Sequence, residues 1–350
     1  MIENNIDVKS MEKLVLVTGM HRSGTSAMAG LLQVLGGYLG PADGLYEADQ
    51  NNEAGYYERR DIVEFNDDIL SGAVDFLDSK HSFFDNVNNP DYLGWLYGAW
   101  SNFEEIAFDE AQLATARKWL LEIIGKNNQL FYVVKDPRLS LLYQSWMPVF
   151  GCQPLVIVMV RSPSSVSRSL YLRDGIFENV GKQLWATYTK SAIPAIENKK
   201  RLILSYDELV ENPELVVQQT IEFLEKNNIS VKSSAVSNIE ISSTLRHNFS
   251  SKQSCRYHYA YEAILKGDLK SLHALKGCRE KDPEGWQRLL HIAANFRRIR
   301  EVDHLTHSYD DYKRRVKIGI ERLESHPVAG RVIKFVSWVK SDPSFIDFYK

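Results

Sequence analysis

Two glycines and three hydroxyl residues lie close together in the segment GMHRSGTS, residues 19–26. Four residues separate Gly19 from Gly24, which is the spacing of a loop whose backbone N–H groups bind phosphate. Nucleotide triphosphatases have a lysine where this chain has Thr25, and that lysine contacts the β- and γ-phosphates. Arg22 lies within the loop and carries a permanent, forked charge suited to an oxyanion. We therefore predict an anion site in which Arg22 replaces the lysine, and the replacement argues against a triphosphate ligand.

A second candidate anion site follows the apolar segment PLVIVMV, residues 154–160. Arg161 ends that segment and Ser169 comes eight residues later. Between them, Ser162 and Pro163 suit the first turn of a helix. A long arginine side chain can reach back to a serine two turns along a helix, so that the pair clamps one phosphate. A capped helix with a surface arginine is the alternative interpretation of this segment alone.

Four short apolar segments predict the strands that position these residues: 14–18, 131–135, 154–160 and 201–206. They are rich in β-branched residues and lack strict alternation, which is typical of parallel strands buried on both faces. Helical patterns separate them, so we predict an α/β fold with right-handed crossovers. Ligands bind at the carboxyl ends of the strands in such sheets, and polar residues follow all four segments.

Composition limits the kind of protein and the kind of partner. The chain of 350 residues has a net charge of −3, so we expect no general attraction to nucleic acid or to anionic lipid. Its three cysteines lack metal-ligand spacing, and free thiols in a reducing cytoplasm are the simplest account of them. The first residues lack a signal-peptide pattern, and the longest apolar segment is far too short to span a membrane. We predict a cytoplasmic protein.

The two anion elements together resemble those of the sulfotransferase family, which transfers a sulfuryl group from 3′-phosphoadenosine 5′-phosphosulfate (PAPS). GMHRSGTS resembles the family's 5′-phosphosulfate loop, in the RSGT form of its glycan and tyrosylprotein enzymes. The resemblance covers roughly residues 13–250 and implies a P-loop NTPase-like parallel sheet flanked by helices. It also implies that the 5′-phosphosulfate is held by Arg22, Ser23, Gly24, Thr25 and Ser26.

The resemblance extends to the second element. Arg161 and Ser169 match the arginine and serine with which the family binds the 3′-phosphate of PAPS. The segment STLRHNF, residues 243–249, resembles the C-terminal loop that closes over the nucleotide, which adds Arg246 as a further contact. The alternative is that Arg246 is a charged residue of a linker and contacts no ligand. Two separate phosphate-binding elements imply a ligand with two separated phosphate groups, and this favours PAPS over ATP.

Sulfuryl transfer needs cations near the SO₃ group and a base for the acceptor's proton. The segment VVKDPR resembles the KDP element of tyrosylprotein sulfotransferases, which implies that Lys135 acts beside Arg22. Cytosolic members have a histidine base where this chain has Pro137, so that base is excluded. GYYE resembles a GYFE element of bacterial relatives and points to Glu58 as the base. The alternatives left open are Glu53, Glu47 and Asp136.

These patterns predict in-line transfer of a sulfuryl group from PAPS to a hydroxyl, which the glycan-type loop suggests belongs to a saccharide. The product would be 3′,5′-adenosine bisphosphate, and no metal would be required. A P-loop kinase that uses ATP and a nucleotide-binding adaptor are the alternative functions.

The alternation of strand and helix patterns ends near residue 250. We therefore predict an α/β domain over residues 1–250 and a helical C-terminal extension over residues 251–350. Three roles are open for the extension: shaping of the acceptor site, formation of a homo-oligomer, and binding of a partner.

Overall fold

The computed structural model describes residues 8–48, 52, 55–72, 94–100, 103–125, 129–174, 176, 178–196, 198–232 and 256–275. The predictions for Glu53 and Arg246 lie outside these residues.

The centre of the fold is a parallel sheet. Its strands are β1 (Leu14–Thr18), β2 (Gly37–Tyr38), β3 (Phe131–Lys135), β4 (Leu155–Val160) and β5 (Arg201–Ser205), in the order β2-β3-β1-β4-β5. Every pairing is parallel. The four strands predicted from apolar segments are confirmed, and so is the α/β class. Strand β2 was not predicted, because two residues are too few to show a pattern.

Helices connect and flank these strands. In chain order they are α1 (Val8–Met11), α2 (Thr25–Val34), α3 (Arg60–Gly72), α4 (Gly94–Tyr97), α5 (Glu110–Ile124), α6 (Leu139–Phe150), α7 (Pro163–Asp174), α8 (Glu178–Ala192), α9 (Tyr206–Glu211), α10 (Pro213–Lys226), α11 (Arg256–Leu265) and α12 (Lys270–His273). Short 3₁₀ turns lie at residues 42–44, 98–100, 103–105 and 198–200.

The three inner strands β3, β1 and β4 are buried along their whole length. Alternate residues of these strands, such as Val15, Val17 and Ile157, pack in one apolar core with α2 and α10. Burial on both faces explains why the segments lack hydrophobic alternation. The flanked parallel sheet, with a glycine-containing loop between β1 and α2, matches the predicted P-loop NTPase-like architecture.

Part of the predicted C-terminal extension is described. Residues 256–275 form α11 and α12, which pack against α7 and α8 of the sheet domain. The predicted boundary at residues 250 and 251 lies outside the described residues, so the two-domain division stays a prediction. In the part of the chain that the structure describes, no helix has the length and apolar character to cross a membrane.

Candidate functional site

The predicted phosphate loop joins the carboxyl end of β1 to the first residue of α2. Its backbone takes positive φ angles at Gly19 (137°), Arg22 (68°) and Gly24 (89°). A side chain at Gly24 would place its Cβ 2.2 Å from the ring of Tyr206, so only glycine fits there without movement. The N–H of Gly19 donates to the Ser140 hydroxyl, 3.1 Å away, which fixes the start of the loop. The loop is thus contacted by Ser140 of α6, which follows β3, and by Tyr206, which follows β5.

The two predicted anion elements meet in the structure. Arg22 Nε donates to the hydroxyl of Ser169 over 2.9 Å. Arg161 Nη1 donates to the backbone carbonyl of Arg22 over 3.1 Å. The guanidinium of Arg161 lies 4.4 Å from the ring centroid of Tyr206, a cation–π contact. Sequence order separates these residues widely, yet they form one cluster, because β1 and β4 are adjacent strands.

Positive charge is concentrated and buried in this cluster. Burial first, and then the charges of Arg173 and Arg161, lower the pKa of Arg22 to about 10, against the opposing charge of Asp174. Burial also lowers the pKa of Arg161. Like charges brought together in a partly desolvated place repel one another, and a bound anion would relieve that repulsion. The electrostatics therefore favour an anionic ligand.

Ser23 is fully buried in the loop, and no hydrogen-bond partner for its hydroxyl is found among the described residues. A buried hydroxyl without a partner costs about 1–3 kcal/mol. An oxygen of a bound phosphate or sulfate would satisfy it. This orphaned donor lies between Arg22 and Gly24, where the anion was predicted to bind.

Lys135 and Glu58 form a buried ion pair at the end of β3. Lys135 Nζ also donates to the hydroxyl of Ser26, 3.2 Å away. Ser26 donates in turn to the carbonyl of Tyr56 and accepts from Asn52 Nδ2. The structure therefore brings the predicted base, the predicted catalytic lysine and the last residue of the phosphate loop into one group.

Backbone pairing explains how Glu58 reaches this place. Leu45 and Arg59 form an isolated antiparallel bridge, and Tyr46 N donates to the carbonyl of Glu58 over 2.9 Å. Tyr57, just before Glu58, has a positive φ of 58°, an uncommon backbone conformation for a residue other than glycine. These backbone contacts fix the segment that carries Glu58 before α3 begins at Arg60.

Asp136, an alternative base, belongs to a different network. Its side chain is fully buried and accepts hydrogen bonds from Asn66 Nδ2 (2.8 Å) and from the backbone N–H of Arg138 (2.9 Å). Burial raises the pKa of Asp136, and Arg138 partly offsets that effect. Arg138 also pairs with Asp67, which accepts from the N–H groups of α4. These contacts tie α3, α4 and the end of β3 together, so they account for Asp136 structurally. Glu47, another alternative, is exposed.

His21 lies on the phosphate loop against two aromatic rings. Its imidazole is 4.5 Å from the ring of Trp95 and 5.8 Å from that of Tyr188, between centroids. Its Nε2 is buried, and no hydrogen-bond partner for it is found in the described part of the chain. Burial first, and then nearby cations, lower the pKa of His21 well below its usual value. Those cations are Arg138, Arg173, Lys135 and Arg22.

Two residues of the cluster were not predicted from the sequence. Tyr206 is the first residue after β5, so the rule that ligand sites collect at strand ends could have found it. Arg173 lies four residues after Ser169 on α7, on the same helix face, and that spacing was the available signal. Arg173 Nε donates to both carboxylate oxygens of Asp174, at 2.9 and 2.8 Å.

Comparison with known proteins relates the chain to one protein family. The family model for the sulfotransferase domain matches residues 12–291. A search of curated protein sequences found no match. Solved structures similar to this chain include sulfotransferase STF1 from Mycobacterium tuberculosis H37Rv (14% identity, 74% of this chain and 76% of that chain covered, TM-score 0.39). Another is sulfotransferase STF9 from Mycobacterium avium (14%, 76% and 79%, 0.38). A third is the sulfotransferase domain from the Synechococcus PCC 7002 olefin synthase (16%, 81% and 93%, 0.36). Because the family model matches well over half of the chain, this protein belongs to the sulfotransferase family.

Proposed function

We propose that the protein transfers a sulfuryl group from PAPS to a hydroxyl of a saccharide and releases 3′,5′-adenosine bisphosphate. Membership of the sulfotransferase family supports the class of reaction. The observation that carries the proposal for the donor is the hydrogen bond between Arg22 and Ser169. It brings the two predicted anion elements beside each other, so that one ligand with two phosphate groups can contact both.

The residues present fit such a donor. Arg22, Ser23, Gly24, Thr25 and Ser26 would hold the 5′-phosphosulfate, and Arg161 and Ser169 would hold the 3′-phosphate. The buried Ser23 hydroxyl gains a partner in this arrangement, and the crowded arginines gain a counter-charge. Arg246 remains a proposed further contact from outside the described residues.

The remaining chemistry falls to two side chains that the structure holds together, Glu58 and Lys135. When bound, the donor supplies the SO₃ group, which leaves its bridging phosphate oxygen as the acceptor oxygen bonds to sulfur. Glu58 accepts the proton of the acceptor hydroxyl, as a general base does. Lys135 and Arg22 stabilise the charge that spreads over the transferring group and the departing phosphate.

Calorimetric titration separates this proposal from the kinase alternative. We expect the protein to bind 3′,5′-adenosine bisphosphate without metal, and to bind it more tightly than ATP with Mg²⁺. Binding of ATP with Mg²⁺ but not of the bisphosphate would contradict PAPS as the donor and would favour a kinase.

Transfer of labelled sulfate from PAPS identifies the acceptor class. The panel contains oligosaccharides, tyrosine-containing peptides and simple alcohols, and we expect the label on a saccharide. Label on a peptide or on an alcohol alone would overturn the saccharide assignment and leave the donor assignment intact. Bisphosphate binding with no transfer to any acceptor class would favour a nucleotide-binding adaptor.

A further inference from the structure

The ends of strands β4 and β5 emerge side by side. In the sheet, Val160 pairs with Ser205, so Arg161 and Tyr206 are the first residues beyond two adjacent strands. The ring of Tyr206 lies under the guanidinium of Arg161 at 4.4 Å. The position of Arg161 therefore depends on how the two strand ends are held relative to each other.

Asp207 links these two ends. Its Oδ2 accepts the backbone N–H of Ser162 at 3.1 Å, which ties the residue after Arg161 to the residue after Tyr206. A carboxylate with a single backbone donor can rotate about its side-chain torsions. A second donor to the same oxygen restricts it.

That second donor comes from α11, beyond the predicted α/β domain. The hydroxyl of Tyr261 donates to Asp207 Oδ2 over 2.7 Å and lies 2.8 Å from the hydroxyl of Ser205. Since the only proton of the Tyr261 hydroxyl goes to the carboxylate, Ser205 must be the donor in the second contact. Ser205 Oγ also accepts the N–H of Glu208, so its hydroxyl donates one hydrogen bond and accepts another. The hydrogen bonds that join Tyr261, Asp207 and Ser205 therefore have defined directions.

Burial of Tyr261 favours the same arrangement. The side chain is 4% exposed, and α11 packs against α7 and β5. Burial first, and then the charge of Asp207, raise the pKa of the Tyr261 phenol above its usual range. The phenol therefore remains a hydrogen-bond donor throughout the physiological pH range.

We propose that Tyr261 is a positioning residue of the anion site: through Asp207 it holds the turn that carries Arg161, and so it sets the affinity for the 3′-phosphate of the ligand. The inference rests on the function proposed above, because it takes Arg161 as the 3′-phosphate contact. It assigns a role in nucleotide binding to a helix that the sequence places in the C-terminal extension.

The test compares two nucleotides that differ only in the 3′-phosphate, 3′,5′-adenosine bisphosphate and 5′-AMP. Calorimetric titration of the full chain gives both affinities for the wild type, Tyr261→Phe and Tyr257→Phe. Tyr257 is the matched control because it lies buried on the same helix, while its hydroxyl contacts only Arg256 among the described hydrogen bonds. Arg161→Ala provides the reference for loss of the contact itself.

For Tyr261→Phe we expect the bisphosphate affinity to fall about fivefold, the scale of one lost hydrogen bond, with the AMP affinity unchanged. Tyr257→Phe should keep both affinities. An unchanged bisphosphate affinity in Tyr261→Phe overturns the inference, and so does an equal loss for both nucleotides, which would mean general loosening of the fold. Failure of the wild type to bind the bisphosphate would instead overturn the proposed function, so the two failures are distinguishable.

Discussion

At the scale of single residues, Lys135 connects the predicted base with the phosphate loop. Its ammonium group contacts Glu58 and donates to Ser26, whereas the adjacent Asp136 is held by Asn66 and Arg138. Two neighbouring residues of one strand end therefore serve different purposes. Lys135 faces the loop that was predicted to hold the anion, and Asp136 fastens helices behind it.

Replacement of Glu58 tests the base. Glu58→Gln keeps the shape of the side chain and removes its ability to accept a proton, so turnover should fall by roughly 10²-fold or more while bisphosphate binding persists. Turnover is measured by sulfate transfer and binding by calorimetry. Glu64→Gln makes the same substitution at an exposed position of α3 and should leave turnover unchanged. Near-normal turnover of Glu58→Gln would return the assignment to Glu53, Glu47 or Asp136.

His21 should make the stability of the protein depend on pH. Its pKa is lowered by burial and by the cations around it, so between that value and the ordinary pKa of about 6.5 the unfolded chain binds the extra proton. The free energy of unfolding therefore falls as the pH is lowered below about 6.5, by at most about 1.4 kcal/mol per pH unit for one proton.

The His21→Gln variant removes this contribution. Urea unfolding between pH 8 and pH 5 should show a shallower decline for His21→Gln than for the wild type. His273→Gln replaces an exposed histidine of α12 and serves as the reference. Parallel declines of the wild type and His21→Gln would show that His21 is not the group responsible.

At the scale of elements, the unit formed by β1, the loop and α2 depends on its glycines, and Gly24 allows two costs of a side chain to be distinguished. Gly24 combines a positive φ of 89° with a contact to Tyr206 that leaves no room for a Cβ. Gly55 has nearly the same φ, 90°, but a Cβ there would meet nothing within 4 Å. Comparison of Gly24 with Gly55 therefore separates the free-energy cost of the left-handed conformation from the free-energy cost of a steric clash.

Alanine at each position should reveal that difference. Gly55→Ala should cost about 1–2 kcal/mol, the usual penalty of the left-handed conformation. Gly24→Ala should cost a further 1–3 kcal/mol or so, because the ring of Tyr206 must move. Guanidinium unfolding measures both losses. Equal losses of the free energy of unfolding in the two variants would show that the ring of Tyr206 moves without cost and does not constrain the loop.

The elements also show where sequence patterns succeed. Apolar segments predicted β1, β3, β4 and β5 within one residue at either end, since buried parallel strands need continuous apolar side chains. The contact between Arg22 and Ser169 was not predicted as such, because it depends on how the loop after β1 packs against helix α7. Tyr261 gave no signal in the sequence, since its partners Ser205 and Asp207 come from another part of the chain.

At the scale of the whole molecule, strand order decides which loops meet. β1 lies between β3 and β4, so the residues after these three strands face one edge of the sheet. Lys135, Arg22 and Arg161 follow or end those strands and so converge there. Sequence patterns supplied the residues and the class of sheet. The order of the strands, and with it the pairing of particular side chains, came only from the structure.

The separation of Arg22 and Ser169 by 147 residues has a consequence for folding. Contacts between distant parts of a chain form late, because the intervening loop must first be closed. The anion cluster therefore does not exist in a partly folded chain in which β1 and β4 have yet to pair. A nucleotide that contacts both Arg22 and Arg161 would bind only the complete sheet. Because such a ligand binds the native state and not the unfolded chain, it would raise the free energy of unfolding by mass action. Under the proposed function, a larger supply of the donor would therefore stabilise the folded protein in a cell.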